Sequence, residues 1–140
     1  MNTSRTLEQL EAHPWPPAPS GSSPMVLRCH ALRKKPLANL SAGDCRLLIG
    51  QDIGTNHLVP LALAFLEAKP LIEGDYYPGD LLLALFDVPK KYRLQHPESH
   101  ARLLEVARRA SAELTEKEAP LGSEQKLLKE LNAHLAKGDA

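Results

Sequence analysis

Proline placement limits what this chain can fold into more than any other feature. Twelve prolines are spread over 140 residues, and each removes a backbone donor and is poorly tolerated inside a helix or a central strand. Five of them fall in HPWPPAPSGSSP, residues 13–24, which is expected to run as an extended, left-handed strap with turns. Pro36, Pro60, Pro70, Pro78, Pro89, Pro97 and Pro120 cut the remainder into segments rich in leucine and alanine. No segment alternates apolar and polar residues with period two, so no strand is expected. The fold class implied is all-α: a single compact multi-helix domain of six or seven helices over residues 25–140, preceded by a short helix and the proline-rich strap over residues 1–24.

Local signals place the helices. Leu7 and Leu10 share one side of a short amphipathic helix over residues 4–12, with Thr3 or Ser4 as its cap. Trp15, the only tryptophan, is expected to lay its ring on the helical body. Ser23 and Pro24 open a helix through Leu32; Arg33, Lys34 and Lys35 suit the negative end of its dipole, and Pro36 forces the exit. Ser41 and Asp44 form a capping pair for a helix burying Leu47, Leu48 and Ile49. The most apolar helix, residues 55–69, is capped by Thr55 or Asn56 and reads as central. Leu81 to Phe86 forms another, KKYRLQ makes a helical turn, and His96–Pro97 starts a long helix carrying Leu103, Leu104, Val106, Ala107 and Ala110 inward. Ser123 caps a last helix with Leu127, Leu128, Leu131 and Leu135 inward, closed by Gly138.

Several functions are excluded by composition. The longest apolar runs, Leu58 to Leu66 and Leu81 to Phe86, fall far short of the roughly 20 residues that span a bilayer. MNTSRTLEQLEAHPWPP carries no apolar signal core, so the protein is expected to remain in the cytoplasm of a bacterium-like cell. Net charge is zero but uneven. Residues 1–40 hold five basic and two acidic side chains, residues 41–88 two and seven, and residues 89–140 ten and eight. An acidic middle speeds encounter with a basic partner and disfavours nucleic acid and membrane binding.

Side chains that carry chemistry are few and poorly arranged for it. Cys29 and Cys45 read as small core residues, and neither has a second Cys or His at paired metal-ligand spacing. HPESH puts His96 and His100 four apart, but Pro97 at the first helical position leaves His96 outside the helix, so the rings need not share a face. Pairing Cys29 with His30, or Cys45 with His57, as nucleophile and base rests on nothing but their presence. The glycines of GQDIG and GDYYPGD lack the Lys-Ser or Lys-Thr of a phosphate loop. Asp75 and Asp80 flank a turn without the ligand density of a calcium loop, and Asp80 favours the positive end of the helix that follows. No cofactor or metal is expected. Tyr76 and Tyr77 stand on that turn among carboxylates; either ring can tuck into the core or stand exposed as an interface anchor.

The order LRKKPLANL, SAGDCRLLIGQDIG, LVPLALAFLEAKPL and EGDYYPGDLLLALFDVPKKY across residues 32–92 resembles the small immunity proteins of contact-dependent growth inhibition (CDI) systems. The resemblance implies an antidote without catalytic activity that binds a cognate toxin domain, many of which are nucleases with basic clefts. Its expected contact surface is an acidic face of Asp44, Asp52, Glu73, Asp75, Asp80 and Asp87 with Tyr76 and Tyr77. Gly43, in SAGDCR, departs from the more acidic helix start associated with the family. The rival reading is a helical adaptor that binds a peptide or helix of an unrelated partner in a leucine-lined groove; a small hydrolase using a His and a carboxylate ranks lower.

Overall fold

The computed structural model describes residues 3–137, in eight α-helices and one 3₁₀ turn. The helices are α1 (Leu7–Glu11), α2 (Pro24–Leu32), α3 (Ala42–Gly50), α4 (Thr55–Ala68), α5 (Asp80–Phe86), α6 (Lys90–Gln95), α7 (Pro97–Thr115) and α8 (Gly122–Ala136), with the 3₁₀ turn at Leu37–Asn39. The described residues form no strand, only two isolated bridges, Thr6 with Pro36 and Glu73 with Pro78. Seven helices, α2 to α8, follow the short N-terminal α1, within the six or seven expected, and KKYRLQ forms the six-residue α6. Gly138 lies outside the described residues.

The caps follow side-chain chemistry, with three shifts from the expected positions. Ser23 accepts from the Val26 N–H at 3.2 Å, with Pro24 at the first position of α2. Ser41 and Asp44 exchange hydrogen bonds of 3.1 and 2.9 Å in a reciprocal capping box. For α1 the cap is Thr6, not Thr3 or Ser4, because Gln9 stands three residues on and returns the bond: Gln9 N–H to Thr6 at 3.1 Å and Thr6 N–H to Gln9 Oε1 at 3.0 Å. Gly54, left-handed at φ 66°, caps α4, and the Thr55 hydroxyl donates to Asp52 Oδ1 at 2.6 Å. Helix α8 begins before Ser123, since the Glu124 carboxylate reaches back to the Leu121 N–H at 2.9 Å. Pro60 sits in the second turn of α4, where the bond it forfeits belongs to the carbonyl of Asn56, an exposed residue open to water.

Helix α4 lies at the centre, packed on α3, α5 and α7, while α7 carries α8 and α6. Its Leu58, Ala62, Leu63 and Leu66 are fully buried, as are Leu81 and Leu82 of α5, Ala107 and Ala110 of α7 and Leu131 of α8. Each such leucine contributes about 2 kcal/mol of transfer free energy. Five short helices therefore hold their shape through the shared core rather than through their own propensity.

The N-terminal residues join this core. Leu7 is fully buried, and backbone bonds tie Glu8 N–H to Arg33 (3.0 Å), Leu37 N–H to Arg5 (2.9 Å) and Ala38 N–H to Thr3 (2.8 Å). Arg33, only 1% exposed, reaches under the chain that follows α1. One nitrogen donates to Glu11 and to the His13 carbonyl, both at 2.8 Å, and the guanidinium carbon lies 4.3 Å from the Trp15 ring centroid. Trp15 also meets His30 edge-on at 4.9 Å and packs partly buried against the core. The dipole duty expected of Arg33 is thus joined by a second: it fastens residues 11–15 to the body.

Candidate functional site

The segment between α4 and α5 is built around one carboxylate. Asp80, whose side chain is completely buried, accepts the backbone N–H groups of Gly74 at 2.5 Å, Asp75 at 2.9 Å and Tyr76 at 2.9 Å. Asp80 stands first in α5, as expected, yet most of its bonding capacity goes into shaping the preceding turn. Gly79, at φ +93°, closes that turn against α8; a Cβ there would lie 2.7 Å from Leu127 Cδ2, so only glycine permits the approach.

With the backbone held from inside, both tyrosines face outward, Tyr76 69% and Tyr77 45% exposed. Their surroundings form a cleft of about 440 Å³ lined by Met25, Arg46, Tyr76, Tyr77, Leu83 and Asp87. The Arg46 guanidinium lies 4.5 Å from the Tyr76 ring centroid and 3.5 Å from Asp80 Oδ2, an ion pair without hydrogen-bond geometry. Met25 of α2, 45% exposed, and half-buried Leu83 of α5 add apolar surface. Rigid, amphipathic rings beside aliphatic side chains and a single cation have the character of a protein contact.

The acidic stretch seen along the sequence is largely neutralised in space. Arg28 of α2 bridges Asp44 and Asp75, each at 3.0 Å, and Lys35 lies 3.8 Å from Asp44. Burial alone would push the Asp44 carboxyl up, but hydrogen bonds from Ser41 and Arg28 outweigh it and hold the pKa below the ordinary 3.8. Gly43 belongs to this cluster: a Cβ there would lie 3.1 Å from the Asp75 carboxylate carbon. The poor helix former is what lets the tyrosine turn approach α3. Glu67 likewise pairs with Arg102 at 2.5 Å.

Of the eight sequence-derived candidates, Tyr76, Tyr77, Asp80 and Asp87 meet at the first cleft, and Asp44 and Asp75 meet beside it through Arg28. Asp52 lines a different cleft, of about 350 Å³, with Glu11, Thr55, His57, Lys91 and Gln95. Among the described residues Asp52, Glu73 and Asp87 make no ion pair, and all three are exposed. Sequence reasoning missed Met25, Arg28 and Arg46. Only Arg46 had a local signal, a cation set within the apolar run of α3.

Among the described residues the thiol-nucleophile and metal readings lack the geometry they need. Cys45 is fully buried, and burial with the Asp44 charge pushes its thiol up to about 12, the reverse of an activated nucleophile. His30 is turned to Trp15. His96 stands at the N-terminal cap of α7, its Nδ1 3.1 Å from the Tyr92 carbonyl and its ring stacked on Tyr92 at 4.2 Å. Both Asp80 oxygens take backbone donors and Asp75 faces Arg28, so their turn offers no cation cradle. Among the described residues no three or more His, Cys, Asp or Glu side chains are placed to hold a metal ion, and no helix is long and apolar enough to cross a membrane.

A family model described as CDI immunity proteins matches residues 9–103, which takes in the tyrosine turn and every residue of the first cleft. No curated protein and no solved structure matches the chain.

Proposed function

The chain belongs to the CDI immunity proteins, and from that premise we propose that it neutralises the cognate toxin domain of such a system by stoichiometric binding in the cytoplasm. It turns over nothing. Docking is anchored on Tyr76 and Tyr77, and the observation that carries this reading is the pair of exposed rings on a turn organised by a wholly buried carboxylate. Such preorganisation lowers the entropy lost on binding.

The charge contribution is narrower than the sequence suggests. Asp44, Asp75 and Asp80 are already paired with Arg28, Lys35 and Arg46, leaving Glu73 and Asp87 near the turn to steer a basic partner, with Asp52 apart from them beside Thr55 and His57. A nuclease toxin with a basic substrate cleft fits this distribution.

The test co-expresses the chain with the toxin domain encoded beside it and measures complex formation and survival. Replacing both Tyr76 and Tyr77 by Ala is expected to weaken the complex about a hundredfold or more, since two anchor residues each carry roughly 2 kcal/mol. Raising the salt is expected to slow association of the native pair. Unchanged protection by the doubly substituted protein would move the interface away from this turn.

A further inference from the structure

Helix α8 lies outside the family-matched residues, yet it faces the tyrosine turn. Ser123, Lys126, Leu127 and Glu130 stand at positions i, i+3, i+4 and i+7 along one side of it, and with Tyr77 and Leu83 they line a second groove of about 260 Å³. Tyr77 and Leu83 belong to both clefts, so the two form one continuous depression with the Tyr77 ring between them. Its position against the body is fixed twice, by Leu127 under Gly79 and by the stack of Phe86 on His134 at 4.3 Å.

The groove combines an apolar floor with a carboxylate at one wall. Leu127 is buried, Leu83 half-buried and Tyr77 exposed. Glu130, half-buried, makes no ion pair among the described residues, although Lys126 stands one turn before it. Glu130 and Asp87 both face the Tyr77 phenol: burial first, then the charges of Glu130, Asp80 and Asp87, push its pKa up against the opposing pull of Arg46. An apolar trough ending at an unpaired carboxylate, walled by an aromatic ring, suits a long aliphatic stem with a cationic head.

Resting on the toxin-binding reading, we infer that α8 supplies the second wall of the contact site and receives a lysine or arginine side chain of the toxin domain. Its stem lies over Leu83 and Tyr77 and its charged end lies at Glu130.

The experiment measures affinity for the neighbouring toxin domain with three single variants and a thermal melt of each. Tyr76 lines only the first cleft and Glu130 only the second, so Tyr76→Ala reports on the toxin-binding reading and Glu130→Lys on the inferred wall. Glu130→Lys is expected to weaken binding roughly tenfold or more, mainly through charge repulsion, and a Lys→Glu or Arg→Glu change in the toxin is expected to restore it. Exposed Lys126→Glu is expected to hasten association, and decides the matter should Glu130→Lys lower the melting temperature. Native affinity in Glu130→Lys together with no gain in Lys126→Glu would overturn the α8 wall while a weak Tyr76→Ala leaves the tyrosine turn standing. Failure of the native protein to bind the toxin domain would overturn both.

Discussion

Replacing Asp80 with Ala is expected to be the most damaging single polar change in the protein. The side chain is fully buried and accepts three backbone N–H groups at 2.5, 2.9 and 2.9 Å, and hydrogen bonds to a charged group are worth about 1.5–3 kcal/mol each. The full sum is not expected, because Asp75 and Tyr76 are exposed residues whose N–H groups regain water once the turn opens. Loss of the counter-charge 3.5 Å from Arg46 adds to the cost, for a net of about 3–5 kcal/mol. In a chain of 140 residues that lowers Tm by about 10–15 °C. Urea unfolding is the assay, with the slope against denaturant checked for constancy. Asp80→Asn offers one acceptor and turns an NH₂ toward the remaining donors, so it is expected to rescue little. A loss below about 1 kcal/mol in either variant, with the tyrosines still competent to bind, would refute the claim that this carboxylate holds the turn.

Gly43→Ala, ordinarily stabilising in a helix by up to about 1 kcal/mol, is expected to destabilise instead, because the added carbon meets the Asp75 carboxylate; thermal melting gives the sign. Arg28→Met is expected to flatten the acid limb of stability. Asp44 has a folded pKa below its ordinary 3.8, so its contribution is present above that value and fades as pH falls through the folded one. Without Arg28 less remains to lose, and Tm measured from about pH 5 down to about pH 2 reads the difference. Cys45, with its thiol raised to about 12, and buried Cys29 are expected to resist a thiol reagent at neutral pH until denaturant is added; rapid labelling of the native protein would contradict their burial.

What could be read along the chain was what neighbouring residues decide. Ser23 with Pro24, and Ser41 with Asp44, announce helix starts because both partners lie within three residues. The apolar run through Leu58, Leu63 and Leu66 marks the central helix because its burial follows from composition alone. Charge was harder to read. Arg28 stands 47 positions from Asp75, so a sum taken by segment shows an acidic middle where the fold makes ion pairs. The tyrosine turn was recognisable by residue type, yet its exposure depends on Asp80 bonding backward to Gly74, Asp75 and Tyr76. Glu130 lacked any local signal, since its significance arises from Tyr77 on a distant turn.

The guanidinium of Arg33 makes residues 3–15 harder to dispense with than their one short helix suggests. A shortened version lacking Glu11, His13 and Trp15 would strip a permanent cation of its carboxylate, its carbonyl and its aromatic lid at once. Left inside an apolar interior, such a charge drags water in or tears its helix loose. Trimming for crystallisation, or fusing a bulky tag close to Thr6, therefore risks an insoluble product for reasons unrelated to toxin recognition.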